Sequence, residues 1–354
     1  MKMKRMNNVR IERTAQGTPR VHRVNQRIDL YRGDCLAVLR KLPDKSVDCV
    51  ITSPPYWRIR DYGGGTWTGG RKGCSHRAPE GKSRIRVYGD TCPRCSAKRL
   101  TYPLGMEPTI AEFILNLCLI FDEVWRVLKD TGSLWVNMGD TYASRDKGID
   151  GKRFAEGCLL LIPARFSIAL MDRGWVLRNE VIWQKPSVRP SGVKTRLEQD
   201  YELLFHFTKQ SSPNYYYDQL KVPGVKVGIV RPGRTVWTFH SGMNACKHDS
   251  AFAERLVEIP VLSTCPPSGV VVDIFLGTGT TGLVAAHYGR DFIGIELDKD
   301  YFNRTCARFS DEGFDHRAIV PPSDKPRFKE PKPRYRGAST QGLAKVPERR
   351  LVAA

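Results

Sequence analysis

The stretch from Gly269 to Gly289, GVVVDIFLGTGTTGLVAAHYG, restricts what this chain can fold into more than any other. Three valines and Asp273 form a short apolar run. Gly277, Gly279 and Gly282 follow in G-x-G-x-x-G spacing, and a helical run then leads to a second apolar strand, DFIGIEL, at 291–297. Strand, tight turn, helix and strand in that order make a parallel crossover, because parallel neighbours cannot be joined by a two-residue hairpin. The expected class is therefore α/β with a mostly parallel, doubly wound sheet. Glycines at these places let a ligand approach backbone N–H groups. An acid closing the next strand, here Glu296, can accept hydrogen bonds from both hydroxyls of a ribose. An ordinary βα turn is the plain alternative, and on the glycines alone an NAD-binding dehydrogenase reads the same way.

A second β-α-β unit lies near the start. IDLYRGD (28–34) reads as a strand ending on Gly33-Asp34, CLAVLRKLP (35–43) as a short amphipathic helix, and VDCVI (47–51) as a buried strand. That strand runs into TSPPYW. Prolines cannot donate ladder hydrogen bonds, and the residue before a proline is pushed out of helix, so this corner is stiff. It suits a planar base carrying an amino group. The Ser53 hydroxyl and the Pro54 carbonyl can accept the two amino hydrogens, Pro54-Pro55 fixes that carbonyl, and Tyr56 offers a face for stacking. A hydride-transfer enzyme has no need of such a corner. Strand-end placement in the same sheet puts it beside the nucleotide crevice. Further along, 110–129 reads as a helix, 132–140 as a strand, 160–173 as a helix, 176–186 and 201–209 as strands, and 210–250 mostly as loop.

These stretches together resemble the DNA methyltransferases that methylate exocyclic amines. Their catalytic signature is [D/N/S]-P-P-[Y/F/W], here Ser53, Pro54, Pro55 and Tyr56. Their cofactor signature is similar to D-x-F-x-G-[ST]-G-T-T, here DIFLGTGTT from Asp273 to Thr281. GSLWVNMGDTYA, RGWVLRNEVIWQKP, YELLFHFTK, VWTF and GRDFIGIELD match as well. The resemblance spans about 28–309, with the catalytic signature before the cofactor signature, as in the family's β-type order. It implies a Rossmann-like methyltransferase fold and S-adenosylmethionine as methyl donor. Asp273, Phe275, Gly277, Gly279, Thr280 and Glu296 would hold that cofactor, with Asp34 reaching the adenine. The implied product is N4-methylcytosine, favoured by the S-P-P-Y variant, with N6-methyladenine as the alternative. Base flipping, a partner restriction endonuclease and a cytoplasmic setting are part of the same implication, and Lys185 would line the base pocket or touch DNA. The family's usual recognition region, 210–250, is short. A long insert follows the catalytic loop instead.

That insert, 58–104, contains GCSH and CPRC. Cys74, His76, Cys92 and Cys95 read as a structural zinc site, since four such residues in a polar, Gly-rich loop have no core to join. The insert is basic, with eleven Lys+Arg and three acids between 58 and 100, which suits contact with DNA. The whole chain carries a formal net charge of +20, from 57 Lys+Arg against 37 Asp+Glu, and so expects a polyanionic partner. No run approaches a membrane span, no secretory h-region follows the basic N-terminus, and the ten cysteines are expected reduced and intracellular. Cys49, Cys118 and Cys158 are expected in the core. Residues 1–27 read as a flexible basic arm with room for a short strand, and 310–354 as a basic, disordered tail. Two rivals stand beside the enzyme reading: an inactive zinc-containing DNA-binding protein, and methylation of RNA or of a protein glutamine.

Overall fold

The computed structural model of the chain describes residues 9–13, 19–23, 25–59, 65–74, 76, 91–92, 94–144, 153–188, 192–211, 213–219, 233–240 and 253–320. The chain divides into two compact units. One takes Met1–Ser53, Glu123–Met138 and Val176–Pro321; the other takes Pro54–Asp122, Gly139–Trp175 and Pro322–Ala354. The sequence reading treats 28–309 as one catalytic domain, and the contacts share that span between the two units.

The strands, in chain order, are β1 (Val9–Arg13), β2 (Pro19–Arg23), β3 (Ile28–Arg32), β4 (Val47–Thr52), β5 (Trp67–Thr68), β6 (Lys98–Arg99), β7 (Leu128–Met138), β8 (Val176–Gln184), β9 (Tyr201–Thr208), β10 (Val236–Thr238), β11 (Val270–Asp273), β12 (Asp291–Glu296) and β13 (Arg317–Ile319). The helices are α1 (Cys35–Leu39), α2 (Ile110–Val127), α3 (Ile162–Asp172), α4 (Glu254–Thr264), α5 (Thr280–His287) and α6 (Lys299–Asp311).

The first unit is built on a nine-stranded sheet in the order β10-β8-β9-β7-β4-β11-β12-β3-β13. Only β9 runs antiparallel to its neighbours; every other pairing in the sheet is parallel. The two crossovers move in opposite directions. From β4 the chain passes through α2 to β7 on one side, and from β11 through α5 to β12 on the other. β4 and β11 are therefore neighbours at the switch point of the sheet, where ligands of such folds bind beyond the carboxyl ends of the strands.

The central strands are apolar because both faces are covered. All six residues of β4 are buried, which is why VDCVIT shows no polar alternation. Its one acid, Asp48, accepts from Lys129 Nζ at 2.7 Å and from the Val270 N–H at 2.9 Å, so it pins β7 and β11 to β4 at the amino end of the sheet. Helix α5 packs unusually close on β12. A Cβ at Gly282 would lie 2.4 Å from the Phe292 ring and 2.6 Å from the Phe309 ring.

Several sequence expectations are corrected. The sheet does not end near residue 309. α6 runs to Asp311 and β13 adds an edge strand, fixed where the Arg317 guanidinium clasps the fully buried Asp29 at 2.5 and 2.7 Å. That partner is far away in sequence, so no local pattern announces it. The three-residue β10 lies within 210–250, read as mostly loop, and a β1–β2 hairpin lies within the basic arm, where the reading left room for a short strand. Cys158 is exposed, whereas Cys49 and Cys118 are buried. Residues 321–354 of the expected tail lie outside the described residues, as do parts of 1–27, 58–104 and 210–250. Among the described residues no helix is long and apolar enough to cross a membrane.

In the second unit the apolar residues of α2 meet α3, with the Phe121 and Phe166 rings edge-on at 5.1 Å. α3 begins at Leu161, which is left-handed (φ 53) and caps nothing with its side chain. Asp140 supplies the missing acceptor, taking the Ile162 N–H at 3.0 Å and the Thr141 N–H at 2.8 Å. β5 and β6 form a short antiparallel hairpin within the insert.

Gly282→Ala is expected to cost about 1–3 kcal/mol, since the new methyl must displace two buried rings. Urea denaturation monitored by circular dichroism measures this, and a midpoint equal to that of the parent protein contradicts the packing argument.

Candidate active site and metal cluster

Three strand ends of the first unit converge on one another. The Thr52 hydroxyl, at the end of β4, donates to Asp273 Oδ1 at 2.7 Å, at the end of β11. Both residues are buried, and Asp273 also accepts from the Phe275 N–H at 3.1 Å. Glu296, at the end of β12, accepts from the Gly277 N–H at 2.7 Å and from the Asp298 N–H at 2.8 Å. The Gly33 N–H donates to the Glu296 carbonyl at 2.9 Å, which brings the end of β3 alongside. Asp34, read as an adenine contact, caps α1 by accepting from the Ala37 N–H at 2.8 Å.

The glycine-rich turn is held from several sides. Thr305 donates to the Gly277 carbonyl at 2.8 Å and Arg308 to the Thr278 carbonyl at 2.5 Å, both from α6. The two glycines read as ligand approaches differ. Gly277 is left-handed (φ 54), and a Cβ there would meet nothing nearer than the Phe275 carbonyl oxygen at 4.0 Å, so the space above it is open. Gly279 is also left-handed (φ 81), but a Cβ would lie 2.6 Å from Thr305 Cγ2. Gly279 thus packs closely on α6 and Gly282 on β12 and α6, while the space above Gly277 is open. Phe275 is half-buried. The Thr280 hydroxyl is buried with no hydrogen-bond partner among the described residues.

Burial pushes the Glu296 carboxyl up to about 7 and those of Asp273 and Asp34 up to about 6, against the hydrogen bonds that favour their charged forms. Three acids at the strand ends are thus poised to become more acidic once a cation or hydroxyl donors arrive. The residues fit S-adenosylmethionine. There is open space over Gly277, the Glu296 oxygens keep further lone pairs for ribose hydroxyls, and carboxylates stand ready for a sulfonium ligand.

In the second unit Pro54, Pro55 and Tyr56 continue the chain from Ser53. The Tyr56 ring lies against Gly139, where a Cβ would sit 2.7 Å from Tyr56 Cε2. Trp57 and Arg58 are not surface residues but are buried, 1 % and 2 % exposed. Trp57 Nε1 donates to the Glu107 carbonyl at 3.1 Å; Arg58 donates to that carbonyl at 2.9 Å and to Met106 O at 3.1 Å. The Glu107 carboxyl, pushed up to about 7 by burial, accepts from the Gly105 N–H at 2.8 Å and from Asn116 at 2.9 Å. The Arg58 N–H donates to the Gly105 carbonyl at 2.7 Å. This network clamps the loop just after Tyr56. Gly139, Glu107 and Thr52 escaped the sequence reading. Only Gly139 left a signal, as a glycine at a strand end. Lys185, read as a pocket or DNA contact, forms an ion pair with Glu202 and lies 4.4 Å from the Trp183 ring centroid.

The insert brings Cys74, His76, Cys92 and Cys95 together, their ligand atoms all within 4.8 Å of one another.

Comparison with known proteins places the chain in a family. Residues 47–307 match the DNA methylase family. The type II methyltransferase M.Cfr9I of Citrobacter freundii is 35% identical over 301 residues, covering 80% of this chain and 88% of the relative. M.SmaI of Serratia marcescens is 31% identical over 287 residues, covering 76% and 86%. Among solved structures, the cytosine-N4-specific PvuII DNA methyltransferase superposes with a TM-score of 0.57 at 22% identity over 81% of this chain and 87% of its own, a likeness of fold. The chain belongs to the DNA methylase family of S-adenosylmethionine-dependent amino-methyltransferases.

A carboxyl raised by burial favours the protonated folded state. Its contribution is fully present below the ordinary carboxylate range, about pH 4, and is lost as pH rises through the raised value. For Glu296 the loss falls between about pH 4 and 7. Glu296→Gln is therefore expected to flatten the ligand-free stability profile over that window by up to about 3 kcal/mol. Urea titrations at pH 5 and pH 8 check this, and equal slopes in both proteins contradict it.

Proposed function

We propose that the protein transfers a methyl group from S-adenosylmethionine to N4 of cytosine in a specific DNA site, as the modification enzyme beside a restriction endonuclease in the cytoplasm. The observation that carries the reading is Ser53-Pro54-Pro55-Tyr56 at the carboxyl end of β4, the strand whose Thr52 is bonded to Asp273 of the glycine-rich unit. Adenine N6 is the alternative acceptor, since both exocyclic amines have similar geometry. The names of M.Cfr9I and M.SmaI, type II methyltransferases, support a modification role.

The chemical difficulty is that the amine lone pair is delocalised into the ring. The Ser53 hydroxyl and the Pro54 carbonyl accept the two amino hydrogens and draw the nitrogen toward tetrahedral geometry. The paired prolines hold that carbonyl still, and Tyr56 holds the flipped base by stacking, so most of the catalysis is positioning. The bound S-adenosylmethionine supplies an electrophilic methyl group. Glu296 takes the ribose hydroxyls, Asp273 faces the amino-acid moiety, and Gly277 leaves the cofactor room. A strong general base is not needed, because the amine becomes acidic as it gains the methyl.

Labelled cofactor, plasmid DNA and nucleoside digestion identify the product. N4-methylcytosine is expected; N6-methyladenine selects the alternative acceptor, and 5-methylcytosine or unlabelled DNA overturns the reading. Tyr56→Ala is expected to lose stacking worth about 1–3 kcal/mol and most turnover while keeping cofactor affinity. Glu296→Ala is expected to weaken the cofactor by about 1.5–3 kcal/mol per lost charged hydrogen bond in calorimetry.

A further inference from the structure

The cysteine–histidine cluster of the insert is not used by methyl transfer, yet its geometry is specific. Cys74 Sγ lies 3.9 Å from Cys92 Sγ, and Cys95 Sγ lies 3.3 Å from His76 Nε2. A tetrahedral zinc with Zn–S near 2.3 Å and Zn–N near 2.0–2.1 Å has edges of about 3.8 Å for two sulfurs and about 3.6 Å for sulfur and nitrogen. The sulfurs are too far apart for a disulfide, which needs about 2.05 Å.

The surrounding backbone is bent to bring these atoms together. His76 is left-handed (φ 49), as are Gly70 (φ 76) and Gly73 (φ 84). A Cβ at Gly70 would collide with Cys95 Sγ at 2.7 Å. A histidine in that backbone region stores strain that something must offset. Apolar packing offers little, because among the described residues of 65–100 that are apolar only Cys92 and Ala97 are buried. The His76 ring is set by Trp67 at 4.8 Å between centroids, and Trp67 in turn lies 4.5 Å from the buried Arg99 guanidinium.

The charges on the described residues of this hairpin have one sign. Its described residues include Arg71, Lys72, Arg94, Lys98 and Arg99 and no acid, and the first four are exposed. The hairpin is anchored to the catalytic loop of its own unit. Thr66 bonds Leu100 and Thr101 at 2.8 and 2.7 Å, and the chain then reaches Gly105, whose carbonyl holds Arg58.

We propose that Cys74, His76, Cys92 and Cys95 hold one structural zinc ion, and that the ion orders a basic hairpin whose Arg71, Lys72, Arg94 and Lys98 grip the phosphate backbone of the target duplex. The second half rests on the DNA methylase reading. Four protein ligands leave no open coordination position, so the ion takes no part in the chemistry. Three thiolates and a neutral imidazole leave one negative charge on the complex, which the neighbouring cations offset. Phosphate contacts position a protein on DNA without reading sequence.

The test uses full-length protein purified in metal-depleted buffer. Elemental analysis is expected to give about one zinc per chain, and Cys92→Ser with Cys95→Ser to remove it. A second variant, Arg71→Ala with Lys72→Ala, Arg94→Ala and Lys98→Ala, leaves every ligand in place. It is expected to keep its zinc and its S-adenosylmethionine affinity within twofold. Its duplex affinity is expected to fall at least tenfold at low salt, and its log–log salt slope to become shallower by about 0.9 per lost phosphate contact. A zinc-free parent protein that still methylates DNA overturns the metal site and leaves the functional reading standing. A zinc-loaded variant with unchanged salt slope overturns the backbone contact. A zinc-loaded parent protein that transfers no methyl to any DNA overturns the functional reading itself, and the backbone contact with it.

Discussion

The hydrogen bond from the Thr52 hydroxyl to Asp273 Oδ1 joins the carboxyl ends of the two central strands. It ties the carboxyl end of β4, which leads into Ser53-Pro54-Pro55-Tyr56, to that of β11, which leads into the glycine-rich turn. These strands are neighbours because the two crossovers leave them in opposite directions. A doubly wound sheet has its ligand crevice at such a place. The buried partners make the bond costly to break, since a buried carboxyl that loses one of its donors recovers less of its desolvation penalty.

Charge is handled in two ways along the chain. At the strand ends Asp34, Asp273 and Glu296 sit in surroundings that raise their carboxyl values, and in the second unit Glu107 is raised likewise. Buried acids weaken the ligand-free fold near neutral pH, and their ionised forms gain once donors or a cation arrive. Elsewhere the chain is strongly basic, and the described part of the cysteine insert carries only positive charge. A cationic exterior draws in a polyanion, while the acidic interior suits a sulfonium ligand.

How much of this was legible in the sequence depended on how local the cause was. The parallel class, the glycine-rich turn and the acid after the next strand are local patterns, and they read correctly. The CxxC and CxH pairs announced their convergence through spacing. The different surroundings of Gly277, Gly279 and Gly282 were not legible, because only Thr305, Phe292 and Phe309, met in space, tell them apart. The same holds for Gly139 beneath Tyr56, for Glu107 beneath Arg58, and for β13, which depends on Arg317 reaching Asp29 across the sequence. The burial of Trp57 was not legible either, since it depends on the Glu107 carbonyl, which gives its indole N–H a partner.

The central claim is that the ends of β4 and β11 act as one site. The most direct measurement is a double-mutant cycle of Thr52→Val and Asp273→Asn, read by calorimetric affinity for S-adenosylmethionine. The account predicts that both single variants bind more weakly and that the double variant loses less than their sum, by at least about 0.5 kcal/mol. Losses that add fully, or single variants that bind as tightly as the parent protein, would contradict it.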